Sequence, residues 1–340
     1  MTNPRDAEAL LSRLPTGARI AIVRLRSLGD CVLTTPAIAL LKAHRPDLAI
    51  DVIVEPNFAA VFEGNPGIDR LLPRASRQPA PPDLVLNLHG GTRSMWITLA
   101  SGAKFRAGFG HHRYSFLYTH KIPRAQEILG VERPVHTAEH VASAMFWLGV
   151  PQAEIPRAKL YAEPAPGEAP FAPPGRYAVI HPFASSVAKT WPAARFVELA
   201  AHLRDTAGVE PAFVFGPGED TSPFAAFRAP VNPSIPAITR LISRAALFVG
   251  NDSGPAHIAA AFGVPSLVLF GPSEPFTWAP RRTESRILRS PAGASGISTA
   301  EAIEAVDQLR SIAKSNEDDN QEATGMSESV RRAPRAGRRS

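Results

Sequence analysis

The chain contains a single cysteine, Cys31, among 340 residues. One cysteine forms no intrachain disulfide and supplies no cysteine-based zinc site. Long apolar runs are also missing: the longest, from Ile258 to Phe270, is interrupted by Gly263 and Pro265 and is shorter than the roughly 20 residues that a membrane-spanning helix needs. The N-terminal residues lack the cationic and apolar regions of a signal peptide. These absences predict a cytoplasmic protein.

Several common motifs are absent as well. No Gly-x-Gly-x-x-Gly follows the first strand-like run, which argues against a dinucleotide-binding enzyme, and no Gly-x-Ser-x-Gly supports an α/β-hydrolase. No helix-turn-helix, zinc-finger or RNP-like pattern points to nucleic acid. No Asp-x-Asp lies at a strand end, Asp318 and Asp319 lie in a polar tail, and the adjacent residues His111 and His112 usually point apart in a loop. The sequence therefore predicts no bound metal and no other cofactor.

Positive charge is concentrated in one part of the sequence. The net charge is +6, and the last 26 residues add nothing to it because they hold five acidic residues and five arginines. Between Leu84 and His136, two glutamates stand against seven basic residues: Arg93, Lys104, Arg106, Arg113, Lys121, Arg124 and Arg133. A solvated basic face is the simplest interpretation. An anionic acceptor or an anionic membrane surface also fits such a local patch, and fits it better than nucleic acid does.

Strand-like and helix-like segments alternate along the chain. Strands are predicted at 19–25, 50–54, 84–88, 177–181, 211–215, 246–250 and 266–270, and helices at 135–148, 192–206, 237–244, 255–262 and 298–314. Such alternation is typical of parallel sheets with crossover helices. A segment rich in Pro, Ala and Glu, at 161–175, separates the two halves.

The predicted fold class is α/β, with two doubly wound domains that face each other across a cleft. The predicted division is an extension at 1–18, a first domain at 19–160, a linker at 161–175, a second domain at 176–297, a C-terminal helix at 298–314 and a disordered tail at 315–340. Ligands of such sheets bind beyond the carboxyl ends of the strands. The candidate site residues are therefore those that follow strands.

Three strand ends carry polar residues of functional interest. Asp30 follows the first strand and is either an N-cap or a general base that faces the cleft. Lys189 precedes a helix that begins near Pro192, and it either meets a phosphate there or is an exposed lysine. The chain has six lysines against thirty-one arginines, which favours a specific role for this lysine. Glu219 lies in a Gly-Pro-Gly turn after a strand, where its carboxylate can accept hydrogen bonds from hydroxyl groups.

The most informative segment runs from Phe248 to His257. A strand-like run ends in Asn-Asp-Ser-Gly, and an alanine-rich helix with Pro255 in its first turn follows. Asp252 and Ser253 are N-cap residue types, so an ordinary capped helix is one interpretation. The other is a phosphate or diphosphate site, because small residues leave the first N–H groups of the helix open and the helix dipole favours an anion there.

Together these segments resemble glycosyltransferase family 9, the ADP-heptose:lipopolysaccharide heptosyltransferases, in register from about Arg19 to Arg310. The Gly-Asp turn and Thr-Pro helix of the family are similar to residues 29–36, and its His-Pro-Gly-Ala-Ser segment with Lys-x-Trp-Pro is similar to residues 181–192. Its Asp-Ser/Thr-Gly-x-x-His segment resembles residues 252–257, and its Phe-Gly-Pro-Thr/Ser-x-Pro segment resembles residues 270–275. All four motifs occur in the family's order and spacing.

The resemblance implies a GT-B fold and an inverting, metal-independent transfer of heptose from ADP-heptose to the lipopolysaccharide inner core. Asp30 matches the general base of the family, and Lys189 with the helix N-terminus at Ser253-Gly254 matches the groups that stabilise the leaving diphosphate. The other donor-binding candidates are Glu219 for the ribose, Asp252 for the sugar or the helix cap, and His257. The candidates for binding an anionic acceptor are Arg93, Lys104, Arg106 and Arg113.

Two positions depart from the family pattern. Phe183 replaces the usual glycine, which brings the geometry of the diphosphate loop into question, and Trp278-Ala279-Pro280 replaces a Gly-Pro. The alternatives left open are a family 9 enzyme for another nucleotide sugar, a nucleotide-sugar hydrolase or epimerase, and a binding protein without turnover. The tail holds five arginines between Arg331 and Arg339 and is a candidate contact with the cytoplasmic face of the inner membrane.

Overall fold

A computed structural model of the chain describes residues 10–73, 80–161, 172–229 and 233–311. In these ranges eleven strands form two sheets, and every strand pairing is parallel. The first sheet has the order β3-β2-β1-β4-β5-β6 and the second the order β11-β10-β9-β7-β8. Both are doubly wound, as the alternation of strands and helices predicts.

The strands of the first sheet are β1 (Arg19–Val23), β2 (Ala49–Val54), β3 (Arg70–Pro73), β4 (Leu84–Asn87), β5 (Phe105–Phe109) and β6 (His120–Ile122). Those of the second sheet are β7 (Tyr177–His181), β8 (Glu210–Phe213), β9 (Leu247–Asn251), β10 (Ser266–Phe270) and β11 (Ser285–Arg289).

The helices are α1 (Leu28–Val32), α2 (Thr35–His44), α3 (Thr92–Ala100), α4 (Ala125–Leu129), α5 (Thr137–Leu148), α6 (Ala193–Asp205), α7 (Ile235–Ser243), α8 (Gly254–Phe262), α9 (Pro275–Trp278) and α10 (299–311). Short 3₁₀ turns lie at Pro56–Val61, Ser115–Leu117, Val187–Lys189, Ser222–Phe224 and Ala294–Gly296. None of the helices in the described ranges is long and apolar enough to cross a membrane.

The central strands are nearly continuous apolar runs because helices cover both faces of each sheet. Every residue of β7, β9 and β10 is buried. The edge strands β3 and β11 are only partly buried, and their sequences show no continuous apolar run. The sequence predicts β1, β2, β4, β7, β8, β9 and β10. It misses the edge strands β3, β6 and β11 and also the internal strand β5, whose residues include Arg106 and Gly108.

Each sheet has one point at which the strand order reverses. In the first sheet it lies between β1 and β4, and in the second between β7 and β9. The crevice beyond the carboxyl ends of the strands at such a reversal is where doubly wound sheets bind ligands. The segments that leave these four strands begin at residues 24, 88, 182 and 252, and they contain Asp30, Lys189 and Asp252.

The two halves of the chain share an apolar cluster that extends from the first sheet, through α8, to one face of the second sheet. Polar contacts also join them at the start of α5. The His136 ring Nε2 lies 2.8 Å from the carbonyl oxygen of Ala279, and Arg281 Nη1 lies 3.2 Å from Glu139 Oε1. The first turn of α5 is therefore held by the segment that follows α9.

The predicted domain limits fall on segments that the structure describes only in part. Residues 10–18 of the predicted extension pack on the first core, where Leu10, Leu11 and Leu14 are buried. The predicted linker at 161–175 lies mostly, and the predicted tail at 315–340 wholly, outside the described residues. The domain division therefore stays a prediction.

Candidate functional site

Asp30 lies in the first turn of α1, at the reversal point of the first sheet. Its Oδ2 accepts a hydrogen bond from the Ser27 hydroxyl at 2.9 Å and a longer one from the Ser27 amide at 3.3 Å. Its Oδ1 lies 3.9 Å from Nη1 of Arg24. Ser27 is the N-cap of α1 and Asp30 is the N3 residue of its capping box, so the Asp30 carboxylate helps to cap this helix without being its N-cap. The carboxylate is 28% exposed and remains accessible from the cleft.

The loop that carries Asp30 packs directly on the start of α8 from the other half of the chain. A Cβ atom added to Gly29 would lie 2.8 Å from Cδ2 of His257, and one added to Gly254 would lie 2.8 Å from Cβ of Leu28. Since atoms do not approach so closely, glycine is required at residue 29 for this contact. The structure thereby brings the candidate base to the helix that the sequence predicts to bind a diphosphate.

His257 lies between the two halves and is 6% exposed. Its Nδ1 has no hydrogen-bond partner within the described residues. Burial lowers the pKa of His257, while the negative charges of Asp252 and Asp30 oppose the shift. The imidazole is therefore neutral near pH 7 and can act as a hydrogen-bond donor or acceptor at the interface.

Lys189 ends the 3₁₀ turn Val187–Lys189 at the reversal point of the second sheet. Its Nζ donates a hydrogen bond to Oδ2 of Asp252 at 3.0 Å. The lysine side chain is 32% exposed and the aspartate side chain 10% exposed. Lys189 is therefore partly exposed and also ion-paired, and its partner Asp252 directly precedes Ser253, the N-cap of α8.

Buried contacts explain why the lysine is held there. The Trp191 side chain is fully buried, its amide donates to the side-chain oxygen of Asn251 at 3.0 Å, and its indole N–H donates to the Ile297 carbonyl at 2.8 Å. A Cβ atom on Gly271 would collide with the Ala188 carbonyl oxygen. The tryptophan of the Lys-x-Trp-Pro segment and the glycine of the Phe-Gly-Pro segment thus position one turn.

The N-terminus of α8 is not closed by its own cap. Ser253 is the N-cap, but its hydroxyl forms no capping hydrogen bond. The hydroxyl oxygen lies instead 3.2 Å from Nδ1 of His181 and 3.1 Å from the carbonyl oxygen of Asn251. Burial lowers the pKa of His181 to about 4, so this histidine is neutral near pH 7. The arrangement leaves the first turn of α8 open to an anion.

Glu219 lies in the turn after β8. Its Oε2 accepts a hydrogen bond from the Gly216 amide at 2.6 Å. Burial raises the pKa of Glu219, and the bond from Gly216 opposes the rise. One carboxylate oxygen thus shapes the turn. Phe183 lies at the end of the adjacent strand β7, and its ring packs edge-on against Phe215 and Phe224, with centroids 6.1 and 6.2 Å away.

The four basic residues predicted to bind the acceptor divide between the two edges of the first sheet. Arg93 in α3 and Arg113 after β5 lie at the carboxyl edge, on the side of Asp30. Lys104 precedes β5 and Arg106 is its second residue, so both lie at the opposite, amino edge. There Lys104 stacks on Phe105 and Arg106 bonds to main-chain carbonyl groups. The structure does not bring Lys104 and Arg106 to the candidate site.

An open cavity of about 560 Å³ lies at the carboxyl edge of the first sheet. Its lining includes Arg26, Glu55, His89, Arg93 and Trp96. Arg93 Nη1 lies 3.1 Å from Glu55 Oε1, and the Trp96 side chain is 68% exposed. An exposed tryptophan beside an ion pair gives this cavity both an aromatic face and charged groups for a sugar ligand.

The sequence misses several residues that form this site. Arg24 lies inside a predicted strand and outside every motif, while His181 and Asn251 lie in segments that the sequence singles out but to which it assigns no role for these two residues. His89 is the second residue after β4, and its position just after a buried strand is the signal that the sequence offers for it. Within the residues that the structure describes, no group of three or more His, Cys, Asp or Glu side chains is arranged to hold a metal ion.

Comparison with protein families decides the class of the chain. The model of glycosyltransferase family 9 (heptosyltransferase) matches residues 81–302, more than half of the sequence. The chain belongs to glycosyltransferase family 9. It is therefore a glycosyltransferase, and the family predicted from the four motifs is confirmed.

Individual relatives agree with this assignment. Lipopolysaccharide heptosyltransferase 3 of Escherichia coli is 29% identical over 304 residues, which cover 75% of this chain and 84% of the relative. The family 9 glycosyltransferase of Veillonella parvula has a TM-score of 0.74 at 22% identity and covers 86% of this chain and 97% of its own. The E. coli ADP-heptose lipopolysaccharide heptosyltransferase II has a TM-score of 0.71 at 20% identity, with coverage of 87% and 99%. The predicted α/β fold of the GT-B type is confirmed.

Proposed function

We propose that this family 9 enzyme transfers heptose from ADP-heptose to a sugar of the lipopolysaccharide inner core. The observation that carries the proposal is the contact between Gly29 and His257, because it places Asp30 beside the first turn of α8. The substrates are those in the names of the relatives of this chain, a lipopolysaccharide heptosyltransferase and an ADP-heptose heptosyltransferase. Its place of action is then the cytoplasmic face of the inner membrane, where its lipid-linked acceptor is accessible.

In the proposed reaction, Asp30 is the general base. A hydroxyl oxygen of the acceptor attacks the anomeric carbon of the donor sugar and gives its proton to the Asp30 carboxylate. The bond between the anomeric carbon and the diphosphate oxygen breaks as the new bond forms on the opposite face, so the configuration inverts. Proton transfer to a positioned carboxylate contributes typically about 10²- to 10⁴-fold to such a rate.

The leaving ADP carries the electron pair of the broken bond on its diphosphate. Lys189 supplies a positive charge and the open first turn of α8, at Ser253 and Gly254, supplies N–H donors and the helix dipole. Asp252 holds the lysine in place before the donor arrives. These groups lie where the charge develops, so we propose that the transfer proceeds without a metal ion.

The other residues proposed to contact the donor follow β8 or lie in α8. Glu219 at the end of β8 is proposed to accept hydrogen bonds from the ribose, with the oxygen that does not bind Gly216. His257 is proposed to donate to the diphosphate or to orient the Asp30 loop. On the acceptor side, Arg93 and Arg113 are proposed to meet acidic groups, because they share the carboxyl edge with Asp30.

The test is transfer of heptose from ADP-heptose to a heptose-less lipopolysaccharide with a chelator present. Product is expected from the wild-type chain. Asp30→Asn is expected to lower kcat by about 10²- to 10⁴-fold while the Kd for ADP stays unchanged, and Lys189→Ala is expected to weaken ADP binding as well. If both variants kept full activity, the assigned mechanism would be wrong.

Two other outcomes would redirect the proposal within its class. Binding of ADP without transfer would point to another acceptor or another sugar. Release of free heptose without acceptor, at a rate that matches transfer, would identify a hydrolase on the same fold. Assays of the wild-type chain with and without acceptor, together with calorimetry of ADP binding, separate these outcomes.

A further inference from the structure

Arg24 is a buried cation at the catalytic centre to which neither the sequence nor the proposed mechanism gives a role. It directly follows β1, and its amide continues the ladder by donating to the Ile53 carbonyl at 3.0 Å. Its side chain is 7% exposed, and its guanidinium reaches toward Asp30. The next two residues, Leu25 and Arg26, line the cavity at the carboxyl edge of the first sheet. Arg24 thus lies between the core and the acceptor side of the cleft.

The guanidinium is poorly satisfied by the protein. It carries five N–H donors, yet its Nε has no hydrogen-bond partner among the residues that the structure describes. Its Nη1 lies 3.9 Å from Asp30 Oδ1, which is close enough for an ion pair and too far for a hydrogen bond. Burial lowers the pKa of Arg24, and the charge of Asp30 opposes the shift. A buried charge without hydrogen bonds is costly, so its presence suggests a partner from outside the chain.

Among the residues that the structure describes, the carboxylate that pairs with Arg24 is Asp30, whereas Glu55 at the same edge pairs with Arg93. The positive charge of Arg24 helps to lower the pKa values of His89, His112 and His140, and burial is the larger cause for each. These histidines are neutral near pH 7, so they add no charge of their own around Arg24. Asp30 is the carboxylate within ion-pair distance, and its role as a base requires it to take up a proton. When it does so, the guanidinium loses its counter-charge.

We propose that Arg24 binds an acidic group of the acceptor, a carboxylate or a phosphate, beside the hydroxyl group that attacks the donor. The planar fork of a guanidinium matches both groups with two parallel hydrogen bonds. The bound anion balances Arg24 while Asp30 is protonated. This inference rests on the proposed function, since it concerns the acceptor of the same reaction, and it makes Arg24 a specificity residue.

The test compares Arg24→Met and Arg24→Lys with the wild-type chain on three acceptors. These are the core oligosaccharide released from heptose-less lipopolysaccharide, the same oligosaccharide with its carboxyl groups methyl-esterified, and its dephosphorylated form. The matched control is Arg204→Gln, a surface arginine of α6 that pairs with Asp205. The Kd for ADP reports the fold of each variant, because the proposed donor site lies in the other half of the chain.

Arg24→Met is expected to raise KM for the native acceptor by roughly 10- to 100-fold, as for the loss of hydrogen bonds to a charged group, with kcat changed much less. The KM of Arg24→Lys is expected to lie between that of the wild type and that of Arg24→Met. On the acceptor that lacks the recognised group, wild type and Arg24→Met are expected to have the same KM. Whichever modified acceptor removes the difference identifies the group as carboxylate or phosphate.

Three results would overturn the inference. An equal rise in KM on all three acceptors would mean that no acidic group is recognised. A fall in kcat alone would make Arg24 a residue that positions Asp30, and a weaker Kd for ADP would place it on the donor side. If the wild-type chain binds the acceptor in calorimetry but transfers no heptose, the proposed function fails, and Arg24 is then judged by the same comparison of acceptor Kd values.

Discussion

His136 links the two halves of the chain through a hydrogen bond that depends on its charge state. Its Nδ1 accepts a hydrogen bond from the Ala138 amide at 3.0 Å, so the ring proton is on Nε2, which donates to the Ala279 carbonyl at 2.8 Å. The residue is 3% exposed. Burial lowers its pKa to about 4, the charges of Arg281 and His257 act in the same direction, and the bond to Ala279 and the charge of Glu139 oppose them.

The pH dependence follows from this shift. Above pH 6.5 the ring is neutral in both the folded and the unfolded chain, so it adds no pH dependence. Between pH 6.5 and about 4 the unfolded chain binds a proton that the folded chain does not, so the free energy of unfolding falls as the pH falls. A pKa about 2.5 units below the ordinary value corresponds to roughly 3 kcal/mol, spread over this window.

His136→Asn separates the titration from the helix cap. Asparagine is a good N-cap, so the cap of α5 should remain, while the bond to Ala279 and the titrating ring are lost. At pH 7.5 the variant should be less stable than the wild type by about 1 kcal/mol, the usual worth of one hydrogen bond. At pH 4.5 the order should reverse, with the variant more stable by roughly 1–2 kcal/mol.

The assay is urea denaturation of both proteins at pH 7.5, 6.0 and 4.5, followed by tryptophan fluorescence and by circular dichroism. His181, also buried with its pKa lowered to about 4, titrates in both proteins and cancels from the difference. A difference in stability that stays constant from pH 7.5 to pH 4.5 would refute the reasoning. Unequal m-values would show that the two proteins expose different surface on unfolding or do not unfold in two states, and thermal midpoints would then be compared instead.

Two further changes test how the site is held together. Gly271→Ala places a Cβ against the Ala188 carbonyl oxygen, so the turn that carries Lys189 must move. The Kd for ADP should therefore rise by roughly tenfold or more. An unchanged Kd would show that this packing does not position Lys189. Phe183→Ala removes a ring that packs on Phe215 and Phe224. We expect the free energy of unfolding to fall by about 2 kcal/mol, while the Kd for ADP stays within threefold of the wild-type value. A large rise in that Kd with unchanged stability would instead make Phe183 a nucleotide contact.

The sequence predicts the parts of the fold that are marked by continuous apolar runs. Strands β7, β9 and β10 are buried along their whole length, so their composition alone distinguishes them from loops. Strands β3 and β11 are partly exposed edges, and β6 has three residues. Their pairing depends on the neighbouring strand more than on their own residues, which a pattern along the chain does not report.

The candidate site, like the fold, is predictable from the sequence only in part. Asp30, Lys189 and Asp252 follow buried strands, so their common edge is predictable from the sequence. Lys104 and Arg106 belong to the same basic stretch as Arg93 but lie at the opposite edge, because Lys104 precedes β5 and Arg106 is its second residue, while the strand ends at the cleft. Charge density along a chain does not say at which end of a strand a residue lies. Only the limits of β5 separate these groups.

The Phe183 departure from the family has a physical explanation that the sequence does not give. Its ring joins the aromatic cluster at the ends of β7 and β8, where it meets Phe215 and Phe224, and it is packed against the core of the second half. The phenyl group therefore has a packing role of its own. A glycine is replaced here by a residue that fills apolar space.

The contact between Gly29 and His257 has a consequence for how this protein can change over generations. A side chain at residue 29 would need the space that the imidazole occupies, so a larger residue at 29 demands a smaller one at 257. Among close descendants of this sequence, these two distant positions are expected to be inherited as a pair. Chimeras that join one descendant's first half to another's second half should lose activity where a larger residue at 29 meets histidine at 257.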